Sequence, residues 1–202
     1  MGNKRDKSIT LYLQAALLEE VGIPERFWNL GVESYYGPEH PMGRMLNYIS
    51  RLKTARDRAM GLFFTGPTSS FKTFFVCHIL KVAVATPPYT SQYCSFDKLL
   101  GVYLGKGQID FHSFATSADF FGLDNIESPH HALQAKALAI FLRARIDANL
   151  PTILASQLDS VGIQNFYKSR VSEMLADAFV EVKCTTDEFK KRAMIEKNKK
   201  GF

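Results

Sequence analysis

Gly61-Leu62-Phe63-Phe64-Thr65-Gly66-Pro67-Thr68-Ser69-Ser70-Phe71-Lys72-Thr73 is the stretch that decides the fold. Its first five residues are apolar and stop at Gly66-Pro67, the pattern of a short buried strand. From Lys72 to Ala85 the chain is apolar nearly all round (Phe74, Phe75, Val76, Ile79, Leu80, Val82, Val84), which predicts a packed crossover helix. Between them lies the phosphate-loop pattern G-x-x-x-x-G-K-[ST], with Phe71 in place of the second glycine. Such a loop curls backbone N–H groups around an anion at a helix N-terminus, whose dipole favours negative charge. Gly66, Pro67, Thr68, Ser69, Ser70, Phe71, Lys72 and Thr73 are therefore the candidate nucleotide-binding residues. Lys72 would reach the β- and γ-phosphates, and the Thr73 hydroxyl would hold Mg²⁺. A bulky Cβ at position 71 is awkward if the loop needs positive φ there.

Downstream the pattern alternates. Ser91–Phe96 reads as a strand, and Asp97–Leu104 as a helix capped by Asp97. Asp119–Leu123 reads as an apolar strand ending at Asp124, Leu133–Ala148 as a helix, and Pro151–Ser156 as a strand ending at Gln157. Phe166–Ala176 is predicted helical and Phe179–Val182 a last short strand. Strands alternating with helices predict α/β architecture: a three-layer P-loop core with a parallel sheet. Ahead of it, Ser8–Val21 is predicted as a helix, Phe27–Tyr36 as an aromatic, turn-rich linker, and Met42–Met60 as one continuous helix. The expected organisation is a helix and linker over 1–40, a nucleotide-binding core over 41–185 and a basic tail over 186–202, with no sizeable lid domain. Most phenylalanines sit in apolar runs; Tyr35, Tyr36, Tyr89 and Tyr93 are the aromatic residues expected at the surface.

The candidate chemistry gathers at the carboxyl ends of the strands, where α/β sheets bind ligands. Asp124 either caps the turn that follows or, together with Lys72 and Thr73, holds Mg²⁺, the reading preferred here, and Gln157 is the candidate to orient a water or the γ-phosphate. Arg170, in Ser169-Arg170-Val171, is either a surface arginine or an arginine that touches a neighbouring subunit's nucleotide.

Composition narrows the classes. The 202 residues are 46% hydrophobic and 22% charged, which excludes a wholly disordered chain. No apolar run approaches the ~18 residues of a membrane span, and the polar start Met1–Lys7 carries no export signal, so a cytoplasmic protein is expected. Cys77, Cys94 and Cys184 form no C-x-x-C pair and read as reduced thiols. His130–His131 lacks a second cluster to make a metal site. Of the net charge of +5, +4 lies in residues 183–202, which favours an anionic partner such as nucleic acid or serves solubility.

Five segments in order and spacing resemble the DnaC-like helicase-loader ATPases, an AAA+ group that includes the transposition helper IstB. They are Gly22-Ile23-Pro24-Glu25-Arg26-Phe27; Gly61–Pro67 with Lys72-Thr73; Ala118–Ile126; Leu150-Pro151-Thr152-Ile153-Leu154; and Ser169-Arg170-Val171. The resemblance implies an ATP- or ADP-binding AAA+ core that assembles with copies of itself into a ring or helix. It also implies binding to single-stranded DNA and to a replicative helicase. By position, Lys72 and Thr73 are the Walker A pair, Asp124 the Walker B magnesium aspartate, Gln157 the counterpart of a sensor asparagine, and Arg170 the arginine finger. Asp124, Gln157 and Arg170 are thus the implied catalytic residues, and Thr73 and Asp124 the implied metal residues. Ser69 and Phe71 replace glycines of the family, and Asn125 replaces a second acid. An amide cannot serve as a general base, so weak or absent hydrolysis is expected unless Glu127 substitutes. Twenty-one residues precede Gly22, fewer than bacterial loaders carry there, so an unusual helicase contact is expected. The preferred reading is a replication accessory ATPase. A degenerate AAA+ scaffold without turnover, and a transposition-helper ATPase, remain open alternatives.

Overall fold

A computed structural model describes residues 14–106, 109–127 and 132–185, and within that range the side chains of Lys168 and Ser169 are not described. The expected helix over Ser8–Val21 is seen as helix α1 over 14–21; its first part, His130–His131 and the basic tail from 186 onward lie outside the described residues. Five strands, β1 (Gly61–Thr65), β2 (Ser91–Ser95), β3 (Phe120–Ile126), β4 (Thr152–Ser156) and β5 (Phe179–Lys183), form one sheet in the order β2-β3-β4-β1-β5. Every pairing is parallel. The α/β three-layer sheet read from the sequence is therefore the fold.

Helices cover both faces. On one lie α1, α2 (Glu39–Ile49), α3 (Leu52–Asp57) and α4 (Lys72–Val84). Their core joins Val21, Met45, Phe75, Val76 and Leu80 to Leu62, Phe64, Ile153 and Val182 of the strands. The other face carries α5 (Phe96–Tyr103), α6 (Phe111–Ala115), α7 (Ala132–Asp147) and α8 (Ser160–Ala178), packed on Phe63, Phe121, Leu123 and Leu154. In the inner strands β1, β3 and β4 alternate residues enter opposite cores, as in a parallel sheet covered on both sides. Gly122 lets α4 come close: a Cβ there would stand 2.5 Å from Val76.

Several boundaries differ from the sequence reading. The expected helix over Met42–Met60 is two helices, broken at Ser50–Arg51, so that Tyr48 can turn its hydroxyl onto the Met60 carbonyl at 2.8 Å. Helix α5 begins at Phe96, capped by the Ser95 hydroxyl rather than by Asp97. Helix α8 begins at Ser160, because Asp159 caps it by accepting from the Gly162 N–H at 2.8 Å. Tyr93, expected at the surface, is buried.

The amino ends of β3 and β4 are tied by Arg145, which α7 carries into the core with 0% exposure. Its guanidinium donates to the carbonyls of Ala115, Ala118, Asp119 and Pro151 and to the Thr152 hydroxyl. All five of its N–H donors find an acceptor, the condition under which a buried cation is tolerated. Burial pulls Arg145 down to about 9, which still leaves it a cation at neutral pH. The three cysteines are buried free thiols, and burial pushes Cys94 and Cys184 up to about 12.

Candidate nucleotide site

The strand order sets β3, β4 and β1 side by side. Their carboxyl ends therefore deliver Asp124, Gln157 and the loop 66–73 to one edge. A cavity of about 350 Å³ lies there, lined at one end by Lys72, Thr73, Asp124, Asn125 and Gln157, and at the other by Phe27, Leu30, Tyr36 and Phe74. One end is polar and one apolar. A larger cavity, about 510 Å³, sits between β2, α5 and α6 with Lys98, Val102 and Phe114 in its wall, and contains none of the loop residues.

At the polar end, the Thr73 hydroxyl donates to Asp124 Oδ2 at 2.7 Å. The buried Tyr93 hydroxyl donates to the same oxygen at 2.9 Å, and the Asn125 N–H to Oδ1 at 2.8 Å. Burial, and then the charge of Asp124, push the Tyr93 phenol above its ordinary range, so it stays protonated and donates this hydrogen bond. Asp124 is 3% exposed, and it sits in a bulge: Leu123 pairs with Leu154 and Ile126 with Ser156, so β3 carries an extra residue. Strand β3 thus runs on past the end read from the sequence, and the bulge turns Asn125 out to solvent with φ of 59°.

The loop is strained where the sequence departs from glycine. Ser69 has φ of 64° and Phe71 φ of 63°, both left-handed. Each such residue costs about 1–3 kcal/mol and persists only where the surroundings impose it. For Phe71 the surroundings are aromatic: its ring meets Tyr35 at 5.0 Å and Tyr36 at 5.1 Å, both edge-on, and Phe74 at 6.1 Å. Gly66 has φ of 140°, and a Cβ there would stand 2.0 Å from the Cys184 carbonyl oxygen. No other residue type fits at position 66.

Lys72 turns back on its own loop, donating to the Pro67 carbonyl at 2.7 Å and the Ser70 hydroxyl at 3.2 Å. Burial lowers it from the ordinary lysine range, an effect that the Cys184 and Asp124 groups oppose. Thr68 donates to Gln157 Oε1 at 3.2 Å, linking the loop to the end of β4.

The apolar end was not read from the sequence as part of a site. Residues 23–36 strap across α4, where Lys81 donates to the carbonyls of Phe27, Trp28 and Leu30. The Trp28 indole closes the strap on the Ile23 carbonyl at 2.7 Å. The signal available was the density of aromatic residues between Phe27 and Tyr36 just ahead of the core.

The structure brings together Gly66–Thr73, Asp124 and Gln157, and sets Arg170 apart. Arg170 is exposed on α8 and borders a different cavity, with His112, Lys136 and Arg143. Within one chain it does not reach the loop.

The paired Asp124 carboxylate and Thr73 hydroxyl at the polar end offer oxygen ligands, which suit a hard cation. No cluster of three or more His, Cys, Asp or Glu side chains forms a metal cage among the described residues. One carboxylate plus a hydroxyl fits Mg²⁺, which is held by few protein groups and completed by substrate phosphates and water. Thr73 and Asp124 would hold it.

No protein-family model and no curated protein matches the sequence. Solved structures do match in shape. A structure of the DnaC helicase loader superposes with a TM-score of 0.69 and 15% identity, covering 80% of this chain and 99% of that one. AMPPCP-bound DnaA from Aquifex aeolicus superposes with a TM-score of 0.68 and 17% identity, covering 88% of this chain and 56% of that one. The replication initiator DnaA bound to AMPPCP and single-stranded DNA gives 0.66 and 17%, covering 87% and 56%. Among the described residues no helix is long and apolar enough to cross a membrane. With its five parallel strands in the order β2-β3-β4-β1-β5 and this likeness, the chain shares the fold of the DnaC helicase loader and of DnaA.

Proposed function

We propose that this chain is an ATP- and ADP-binding DNA-replication accessory protein of the helicase-loader kind, which binds its nucleotide with Mg²⁺ in the cavity above β1, β3 and β4. The observation that carries the reading is the 2.7 Å bond from Thr73 to Asp124 at the mouth of a loop that ends in a helix N-terminus. In this reading the loop N–H groups and Lys72 bind the phosphates, and the strap residues Phe27, Leu30 and Tyr36 receive the base. Mg²⁺, when bound, would screen phosphate charge beside Thr73 and Asp124. Gln157 would orient a water or the terminal phosphate. Hydrolysis is weak or absent, since position 125 offers an amide where a carboxylate would take the water's proton.

Arg170, exposed and apart from its own chain's loop, suits contact with the nucleotide of a neighbouring copy, as in a ring or helical assembly. The likeness to the DnaC helicase loader and to DnaA bound to single-stranded DNA supports a replicative helicase and single-stranded DNA as partners. The basic tail over 186–202 would touch DNA phosphates without reading bases. The strain at Ser69 and Phe71 favours the second reading, an AAA+ scaffold that binds nucleotide poorly and works by assembly.

Titration with ATP and ADP, with and without Mg²⁺, separates the two. The proposed function predicts binding that Mg²⁺ strengthens and that Lys72→Ala weakens about tenfold or more, since a charge-assisted hydrogen bond is worth about 1.5–3 kcal/mol. Absence of binding at millimolar ATP would leave the scaffold. For the DNA partner, removal of residues 190–202 should flatten a log–log salt slope of about −2 to −3 on single strands. Unchanged affinity and slope would overturn the tail's role.

A further inference from the structure

Asp124 is held by more than the loop residue opposite it. Tyr93 lies on β2, directly across from Gly122 of β3, and its ring belongs to the core under α4. Its hydroxyl reaches Asp124, two residues farther along β3 on the same face, at 2.9 Å. A carboxylate offers about four acceptor positions. Here Thr73 and Tyr93 fill those of Oδ2, and the Asn125 N–H takes one on Oδ1. What remains for a cation is the rest of Oδ1 and the lone pairs of the Thr73 hydroxyl. Mg²⁺ sheds its water reluctantly and demands near-octahedral geometry, so a carboxylate that meets it through water must be held in place.

We propose that Tyr93 is a positioning residue for the magnesium site: its hydroxyl, paired with that of Thr73 on one oxygen, locks the Asp124 carboxylate in the orientation that receives hydrated Mg²⁺. Phenylalanine at this position would keep the ring's packing and leave Oδ2 with one donor, so that the carboxylate is freer to turn. The inference rests on the nucleotide reading above.

The test is the ratio of ADP affinity in Mg²⁺ to that in EDTA, measured by calorimetry on the full chain. Tyr93→Phe should lower this ratio three- to tenfold while metal-free affinity stays within twofold. In an Asp124→Asn background the same substitution should leave the ratio unchanged, because Tyr93 acts through that carboxylate. An unchanged or higher ratio in Tyr93→Phe, beside a wild-type protein that responds to Mg²⁺, overturns the inference and leaves the nucleotide site standing. An equal fall in the Asp124→Asn background also overturns it, since the ring would then act by packing. A wild-type protein that binds no ADP at all overturns both. If Tyr93→Phe does not fold, a crystal structure of the wild type with Mg²⁺ and ADP decides: the Tyr93 hydroxyl stays within hydrogen-bond distance of Oδ2, or the inference is wrong.

Discussion

Left-handed residues stand at both edges of this sheet, and they do different things there. At the amino edge are Ala59, with φ of 50°, and Asn149, with φ of 54°. Both end helices. The Ala59 N–H donates to Arg56 and the Met60 N–H to Ala55; the Asn149 N–H donates to Ile146 and the Leu150 N–H to Arg145. Each pair of bonds is a Schellman closure, in which the left-handed turn satisfies carbonyls the helix would leave open. At the carboxyl edge, Ser69, Phe71 and Asn125 end no helix. Their conformations curl a loop and aim a bulge at a cavity. The same backbone strain closes the structure at one edge and shapes the proposed nucleotide site at the other.

The largest expected effect tests the closed edge. Arg145→Met would orphan four carbonyls and a hydroxyl in the core, and should cost about 3–5 kcal/mol of stability in urea unfolding, as losing a buried charged partner does. A loss below about 1 kcal/mol would mean those acceptors find other partners.

Next comes Phe71→Gly, where the two edges should part. Glycine relieves the left-handed strain, worth about 1–2 kcal/mol, but forfeits the ring contacts with Tyr35, Tyr36 and Phe74. Nucleotide affinity should rise several-fold while the melting temperature falls. Ala59→Gly should do the reverse: a gain of about 0.5–1 kcal/mol in stability with nucleotide affinity unmoved. If Ala59→Gly alters affinity as much as Phe71→Gly does, the contrast between the edges fails.

Asn125→Asp places a carboxylate on the bulge at an exposed position that already tolerates positive φ. ATP turnover should increase, measured by phosphate release, with nucleotide affinity little changed. No increase would mean the bulge turns the side chain away from the reacting water.

The smallest effect concerns pH. Burial alone would raise the Asp119 carboxyl, but bonds from Arg56 at 2.7 Å and from Thr90 hold it below its usual range. With the folded pKa depressed, its contribution is complete above the unfolded value near 3.9 and is lost as pH falls through the folded one. The melting temperatures of wild type and Asp119→Asn should therefore differ at pH 7 and converge below about pH 4. A gap that persists in acid would assign Asp119 a role other than its charge.

Much of this was legible in the sequence, for identifiable reasons. The strand–loop–helix at 61–85 announces itself because a buried parallel strand has no polar face and the loop pattern follows it at once. Asp124 and Gln157 could be placed on the same edge because strand ends in a parallel sheet share one side. Arg145 was overlooked, although Leu138, Phe141 and Leu142 lie seven, four and three positions before it, on the stripe that faces the core. Tyr93 was misread because Ser91-Gln92-Tyr93-Cys94-Ser95 looks half-polar; its burial comes from the cover of α1 and α4, which period-two patterning does not contain. The bulge at Asn125 depends on the register against β4, a tertiary fact.

Amide hydrogen exchange with and without saturating Mg²⁺ and ADP tests the central claim, that the carboxyl edge is the nucleotide site. The account predicts protection over residues 66–73 and at Asp124–Asn125, with Ala59–Met60 and Asn149–Leu150 unchanged. Protection at the amino edge, or none over 66–73, would contradict it.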